Sequence, residues 1–276
     1  MIFDATRAEK SLKKLRKSLV SLSKRPPPKQ VHSLRTRIRR VEAVIDAQTA
    51  DRSRDGKRLL RALKPIRKRA GRVRDIDVFI GFAATLKISG ERDCLLQLIE
   101  YLGSARAKSV RRLHHALAVH SQEARRHIRH YSGYIRKHLS GSAKNTLEKQ
   151  ESSAEATAKA AQIWSEMTEW PRLNHTNLHP FRLKVKELRY ILQLDSQSDP
   201  QFVSNLGEVN DAIGEWHDWN ELAAIASNVL HHGDRCALKK QIQTVAQEKQ
   251  QDAFSAARAL RKKYQATQRQ TEFPLF

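Results

Sequence analysis

Two phrases occur twice in this chain, in the same order and at nearly the same separation. "VHSLRTRIRRVEAVID" (Val31 to Asp46) returns as "LHPFRLKVKELRYILQ" (Leu178 to Gln193) after an offset of 147 residues. "LKPIRKRAGRVRDIDV" (from Leu63) returns as "LGEVNDAIGEWHDWNE" (from Leu206) after 143, which sets Gly71 against Gly214, Arg74 against His217 and Asp75 against Asp218. Two ordered matches whose spacings differ by four residues predict an internal duplication, so the second half should repeat the fold of the first.

The repeated unit reads as helical. Glycine and proline number 10 and 8 in 276 residues. Apolar residues recur three and four positions apart almost throughout, and strand-like alternation is essentially absent. Breaks fall at "KRPPPKQ" (Lys24 to Gln30), near Gly90, at "LSGSAKN" (Leu139 to Asn145), at "EWPRLNHTNLHP" (Glu169 to Pro180), at "DSQSDP" and at "HHGDR". Long helices with short connections predict an all-α protein built from antiparallel bundles. The break at Gly141 divides it into a first repeat over 1–140 and a second over 141–265, with a tail at 266–276.

The charge balance narrows the partner. Lys and Arg number 52 against 29 Asp and Glu, giving +23 and a sequence pI near 10.4. That excess points to a polyanion, with nucleic acid, an anionic membrane surface and inorganic phosphate polymers as the candidates. The longest uncharged apolar stretch, Val78 to Leu86, is nine residues, against about 20 for a membrane-spanning helix. "MIFDATRAEKSLKKLRKSL" has no apolar core or cleavage signal and reads as an amphipathic first helix, not a secretory leader. Cys94 and Cys236 have no C-x-x-C companion, which implies neither a disulfide framework nor a zinc site and suggests a reducing, cytoplasmic setting.

Helical angle separates two faces in each copy of the first phrase. Leu34, Ile38, Val41 and Ile45 form one apolar stripe. His32, Arg35 and Arg39 lie together, roughly 100° to 160° away at 3.6 residues per turn. In the second copy Phe181, Val185, Leu188 and Leu192 form the stripe, while His179, Arg182, Lys186 and Arg189 occupy the other arc. A single basic face is ordinarily just solvated, but its recurrence argues for a track of phosphate-binding groups. Guanidinium forks match phosphate oxygens, and lysine supplies a mobile point charge. His32 and His179 would take up a proton more readily beside a bound polyanion.

Cations are dense around the first copy, with fifteen Lys or Arg against four Asp or Glu from Val31 to Arg74. Such crowding costs stability unless an anion offsets it. Gly71 and Gly214 suit close helix packing, and Asp75 and Asp218 are placed to orient basic neighbours. The stretch from Arg106 to His138, with nine Lys or Arg, one acid and six histidines, reads equally as an extension of the binding surface or as a solvated outer face.

Taken in order, "VHSLRTRIRR", "GRVRDIDV", "LHPFRLKVKELRY" and "GEWHDWNE" resemble the paired motifs of the CHAD family, the conserved histidine α-helical domain, over roughly Ala8 to Tyr264. The resemblance implies two antiparallel four-helix bundles related by an internal pseudo-two-fold. Their basic faces would converge on a central cleft that binds inorganic polyphosphate, in a protein associated with polyphosphate granules. Position by position, it places His32, Arg35, Arg39 and Arg40 with His179, Arg182, Lys186 and Arg189 along the cleft. Arg74 and His217 come from the second motifs, with Arg67 and Lys64 as weaker additions. Glu187 stands where the first copy has Arg40, and Glu215 where it has Arg72, so the second half should hold anions less strongly. No E-x-E-x-K motif of the phosphatase-like CYTH domain precedes these phrases, so the chain resembles a stand-alone binding module.

Two rival functions come from other classes. His217 and Asp218 form an "HD" dipeptide that, with His179 and Asp234, suggests an HD-type metal-dependent phosphohydrolase. Against it, the counterpart of His217 is Arg74, which cannot ligate a metal, and a basic cleft is a poor host for a divalent ion. The other rival is non-specific RNA or DNA binding. Aromatic residues are only 6%, no base-reading motif appears, and Trp164, Trp170, Trp216 and Trp219 have the spacing of core residues. No nucleotide-loop, zinc-protease or nucleophile-elbow motif is present, so the expectation is a binding protein with no catalytic residues, metal site or cofactor.

Overall fold

A computed structural model describes residues 5–46, 54–86, 92–139, 146–193, 198–231 and 236–268. The breaks expected near Gly90 and Gly141 fall outside these residues, as do parts of those at "DSQSDP" and "HHGDR", Asp234, and most of the tail at 266–276. The described chain is helical, with eight helices and no strand: α1 (Ala5–Ser18), α2 (Pro28–Asp46), α3 (Arg54–Thr85), α4 (Arg92–Leu139), α5 (Thr146–Thr168), α6 (Leu178–Leu192), α7 (Pro200–Val229) and α8 (Ala237–Gln268). Among the described residues no helix is long and apolar enough to cross a membrane.

Local chemistry explains where the motif helices begin. Pro28 opens α2, where its missing N–H belongs to the unpaired first turn and its fixed φ suits the helix. The preceding turn is tied down by Gln30, whose amide donates to the Ser21 carbonyl at 2.7 Å and accepts from the Ser23 hydroxyl at 2.8 Å. Before α6, the Asn174 side chain accepts from the backbone N–H groups of Thr176 and Asn177 at 2.9 and 3.1 Å. Asp199 caps α7 by accepting from Gln201 N–H at 2.8 Å, with Pro200 at the first helical position.

Burial organises the helices around three cores. In the first, the α2 stripe Leu34, Ile38, Val41 and Ile45 meets Leu12 and Leu15 of α1, Leu59, Leu63 and Ile66 of α3, and Leu113 and Ile128 of α4. In the second, the α6 stripe Phe181, Val185, Leu188 and Leu192 meets Trp164 of α5, Phe202, Leu206 and Ile213 of α7, and Leu260 and Tyr264 of α8. Trp164 packs edge-on against Phe202 and Tyr264, so it is a core residue. A third cluster, not anticipated by a simple division into halves, joins Ile76 and Phe79 of α3 and Leu98 of α4 to Trp219 and Leu222 of α7 and Leu238 and Ile242 of α8. Phe82 and Trp219 stack there with ring centroids 4.3 Å apart. The apolar run at Val78 to Leu86 therefore helps join the far ends of the α3/α4 and α7/α8 hairpins.

Candidate functional site

Apolar stripes turned into separate cores leave the opposite faces of α2 and α6 turned toward one another, and those two helices touch directly, as do α3 and α7. The basic rows therefore meet. Arg35 acts on the charge of both Arg182 and Lys186, and Arg39 acts on Lys186, although the two pairs are well over a hundred residues apart in sequence. Burial and then Arg67 lower the pKa of Arg39, while burial lowers that of Arg182 despite the neighbouring Asp218. Lys186 is affected most: burial, followed by Arg182, Arg35 and Arg39, brings its ammonium pKa down to about 7. The positive field prevails even though Asp211 opposes it.

The second-motif helices complete the site by the same pairing in each half. Arg74 of α3 sits near His32, and His217 of α7 packs against His179 with ring centroids 4.7 Å apart. Burial first, and these cationic or titratable partners next, lower the pKa of both His32 and His179. Asp75 lies among Arg35, Arg72, His217 and Asp218, and burial raises its pKa above the usual carboxylate range. The second-motif glycines make room for arginine side chains, not for a neighbouring backbone. A Cβ on Gly71 would find Arg35 Nε at 3.5 Å, whereas one on Gly214 would run into the Arg182 guanidinium, whose Cζ lies at 3.0 Å. Arg182 is fixed there by a 3.1 Å hydrogen bond from Nε to the Asn210 carbonyl.

That difference predicts opposite outcomes for two similar substitutions. Both glycines lie inside helices, where alanine is favoured by about 1 kcal/mol. G71A should keep most of that gain and raise Tm by a few degrees, about 2–4 °C per kcal/mol in a chain of this size. G214A must expel the guanidinium and lose its hydrogen bond, worth about 1.5–3 kcal/mol for a charged donor, so its Tm should stay level or fall. Equal gains in thermal unfolding would mean that Arg182 is not held over Gly214.

Two pockets flank the crossing of α2 and α6, and Ala43 and Tyr190 line both. These two residues are counterparts under the 147-residue offset, so a small side chain in one repeat admits a large one in the other. The first pocket, about 390 Å³, is lined by Arg7, Lys10, Lys14, Arg37 and Arg40, with no carboxylate among its described residues. The second, about 360 Å³, sets Arg39, Lys159 and Lys186 against Glu42, Asp46 and Glu187.

The expected residues are not all gathered in one place. Arg35, Arg39, Arg182 and Lys186 form the centre, with His32, Arg74, His179 and His217 around it. Arg67 approaches Arg39 but is held by Glu42 at 2.7 Å. The Arg189 guanidinium lies over Gly207, 3.0 Å from where a Cβ would stand. Arg40 is exposed and faces the α1 pocket, while Lys64 is exposed on α3 without a described tie to the cluster. Sequence reasoning missed Glu42, although its spacing three residues after Arg39 is a helical ion-pair signal, seen here at 3.4 Å. It also missed Tyr190 and Asn210. Glu187 and Glu215, the two departures from the basic pattern, pair with Lys159 and Lys249, each at 3.2 Å.

For a metal site, His217 Nδ1 lies 3.5 Å from Asp218 Oδ1, and the His179 ring packs against His217 at a tilt of 35°. Among the described residues, however, no three His, Cys, Asp or Glu side chains are placed to hold one ion. Arg182 and Lys186 bear on the same histidine, an environment that disfavours a divalent cation.

An all-helical chain with two histidine-led helices whose basic faces meet is a recognisable class of protein. A family model for the CHAD domain matches residues 6–227, and the chain belongs to that family. The fold agrees with a crystal structure of the CHAD domain from the plant Ricinus communis, at a TM-score of 0.66 and 13% identity, covering 94% of this chain and 89% of that one. No curated protein matches the sequence significantly.

Proposed function

We propose that this protein binds inorganic polyphosphate between α2 and α6 and does so as a holder, not as an enzyme. The observation that carries the reading is the convergence of Arg35, Arg39, Arg182 and Lys186, with Lys186 depressed to about 7 by burial and by the other three cations. A folded protein that keeps such a cluster under-compensated has a site whose missing component is negative charge. A linear phosphate polymer is narrow, carries charge at every unit and needs no base-reading group. It therefore suits a helix-lined cleft with the basic α1 pocket at one side.

The reading extends to the architecture and setting. The parallel pairings His32 with Arg74 and His179 with His217, and Arg35 over Gly71 and Arg182 over Gly214, support two four-helix repeats, 1–140 and 141–265, related by a pseudo-two-fold. Arg40 lines the carboxylate-free α1 pocket, whereas its counterpart Glu187 brings a carboxylate to the other, which supports stronger anion holding on the α1 side. A cytoplasmic protein that gathers at polyphosphate granules follows from the same reading.

Binding measured over a salt series, with polyphosphate, single-stranded RNA and duplex DNA of matched charge, tests the proposal. Partly buried charges are screened less than exposed ones, where the Debye length is about 8 Å at physiological ionic strength. Polyphosphate should stay bound at salt concentrations that release both nucleic acids. Identical affinities and identical salt slopes for all three would leave only a generic basic surface.

A further inference from the structure

The central cluster does not account for the charge of this chain. Residues 1–140 carry thirty-five Lys and Arg against twelve Asp and Glu, whereas 141–276 carry seventeen against seventeen. The whole excess of +23 thus belongs to the first repeat, although both repeats contribute to the cluster. Part of the Arg106 to His138 stretch is internal. Arg106 donates to the buried Asp77 at 2.5 Å and to the Pro26 carbonyl at 2.7 Å, and the buried His127 lies between Asp55 and Glu123. Lys108, Arg111, Arg112, Arg126 and Arg129, by contrast, are exposed.

These cations lie along the α3/α4 hairpin. One groove between the helices is lined by Arg69 of α3 and by Lys108, Arg111 and Arg112 of α4. A second groove, sharing Val119 with the first, continues along α4 past Arg126 and Arg129. All six of these cations are exposed, and Glu123 is the one carboxylate lining either groove among the described residues. Arg58, Arg61 and Lys68 of α3 are exposed as well. Under the 143-residue offset, Arg58, Arg61, Lys68 and Arg69 of α3 have Gln201, Ser204, Asp211 and Ala212 of α7 as counterparts, none of them a cation. A duplicated hairpin has therefore been made cationic in one copy only. Like-charge crowding disfavours the folded state, so such a one-sided face calls for an anionic partner.

We infer that the outer α3/α4 face docks double-stranded nucleic acid through its phosphate backbone. The band from Lys108 to Arg129 covers 22 helical residues, roughly 30 Å at 1.5 Å per residue, close to one turn of B-form DNA at about 34 Å. Its cations are exposed along the length of the hairpin, unlike the half-buried groups of the cluster, and so suit a wide, stiff array of phosphates more than a thin flexible chain. Val119 is the one large apolar side chain exposed along the band, too little to anchor a membrane-inserting surface. Among the described residues the grooves are lined by no Phe, Tyr or Trp to stack on unpaired bases. Docking there is independent of which anion fills the cluster.

The test uses the full chain, short duplex DNA and duplex RNA, and the triple variant R111E/R112E/R126E, with R111Q/R112Q/R126Q as the milder form should the first fold poorly. Wild-type protein pre-saturated with polyphosphate should still bind a duplex. Its affinity should fall steeply with salt, with a log–log slope of about −5 for six phosphate contacts. The triple reversal should weaken duplex binding at least 30-fold and reduce the slope by about three, while polyphosphate affinity changes less than threefold. Absence of duplex binding by the wild type, or an unchanged affinity in the variant, overturns the proposal. So does displacement of the duplex by cluster-saturating polyphosphate, or an equal loss of both ligands, which would make the face an arm of the polyphosphate track. Binding of the face to phosphatidylserine vesicles in place of duplexes would assign it to a membrane surface instead.

Discussion

R35E combined with R182E should weaken polyphosphate binding by at least about 100-fold, equivalent to roughly 2.8 kcal/mol. Each arginine lies over a glycine of its own repeat, and Arg35 lies close enough to lower the pKa of Arg182. The pair therefore supplies a guanidinium from each half to one place. Charge-assisted hydrogen bonds are worth about 1.5–3 kcal/mol each, and reversal adds repulsion to their loss. Asp75 beside Arg35, and Asp211 and Asp218 beside Arg182, would each also gain an acidic neighbour, so R35Q with R182Q, expected to lose about tenfold, serves as the gentler variant. R111E with R112E, which changes the same number of charges on the outer face, should cost less than threefold. Binding isotherms at fixed salt, with helicity and Tm measured alongside, give the comparison. Similar losses from both reversed pairs would remove the site from the α2/α6 crossing.

The helices and their buried faces were legible because amphipathic periodicity reports burial directly. Leu34, Ile38, Val41 and Ile45 are each no more than 1% exposed, and Phe181, Val185, Leu188 and Leu192 are fully buried. The basic arcs were legible for the same reason, since a side chain opposite the stripe must face something else. What periodicity does not carry is which arcs face each other. The encounter of Arg35 with Lys186 depends on the packing of one half against the other, for which one chain offers only the hint of duplication. Arg40 shows the resolution limit: one position from Arg39, it turns by about 100° and lines the α1 pocket instead. The third core left a trace that went unread, since α3 becomes apolar on most sides from Val78 onward and such a segment needs more than one packing partner. The division of roles within Arg106 to His138 left none, because a half-buried arginine paired with Asp77 and an exposed arginine on the outer face have the same letter.

Lys186 should make this protein trade stability for binding in a pH-dependent way. Its folded-state pKa is about 7, against roughly 10.4 in an unfolded chain. Between those values the unfolded state holds a proton at this lysine that the folded state does not, so folding stability rises with pH across that window. The cost of the cation is fully present below about 7 and absent above about 10.5. K186M keeps the buried aliphatic volume and removes the charge, so it should raise Tm most at pH 6 and negligibly near pH 10. Bound polyanion reverses the balance by supplying the counter-charge that the cluster lacks. Polyphosphate affinity of the wild type should therefore increase as pH falls from about 10 toward 7, with net proton uptake on binding detectable as a buffer-dependent heat. His32 and His179, whose pKa values lie below the ordinary 6.5, extend the increase to more acidic solution. Long polymers are the appropriate ligand, because their internal phosphates stay ionised throughout. K186M should bind more weakly and lose the rise between pH 10 and 7. Identical pH profiles for the variant and the wild type, in both Tm and affinity, would show that Lys186 is not the titrating cation of the cluster.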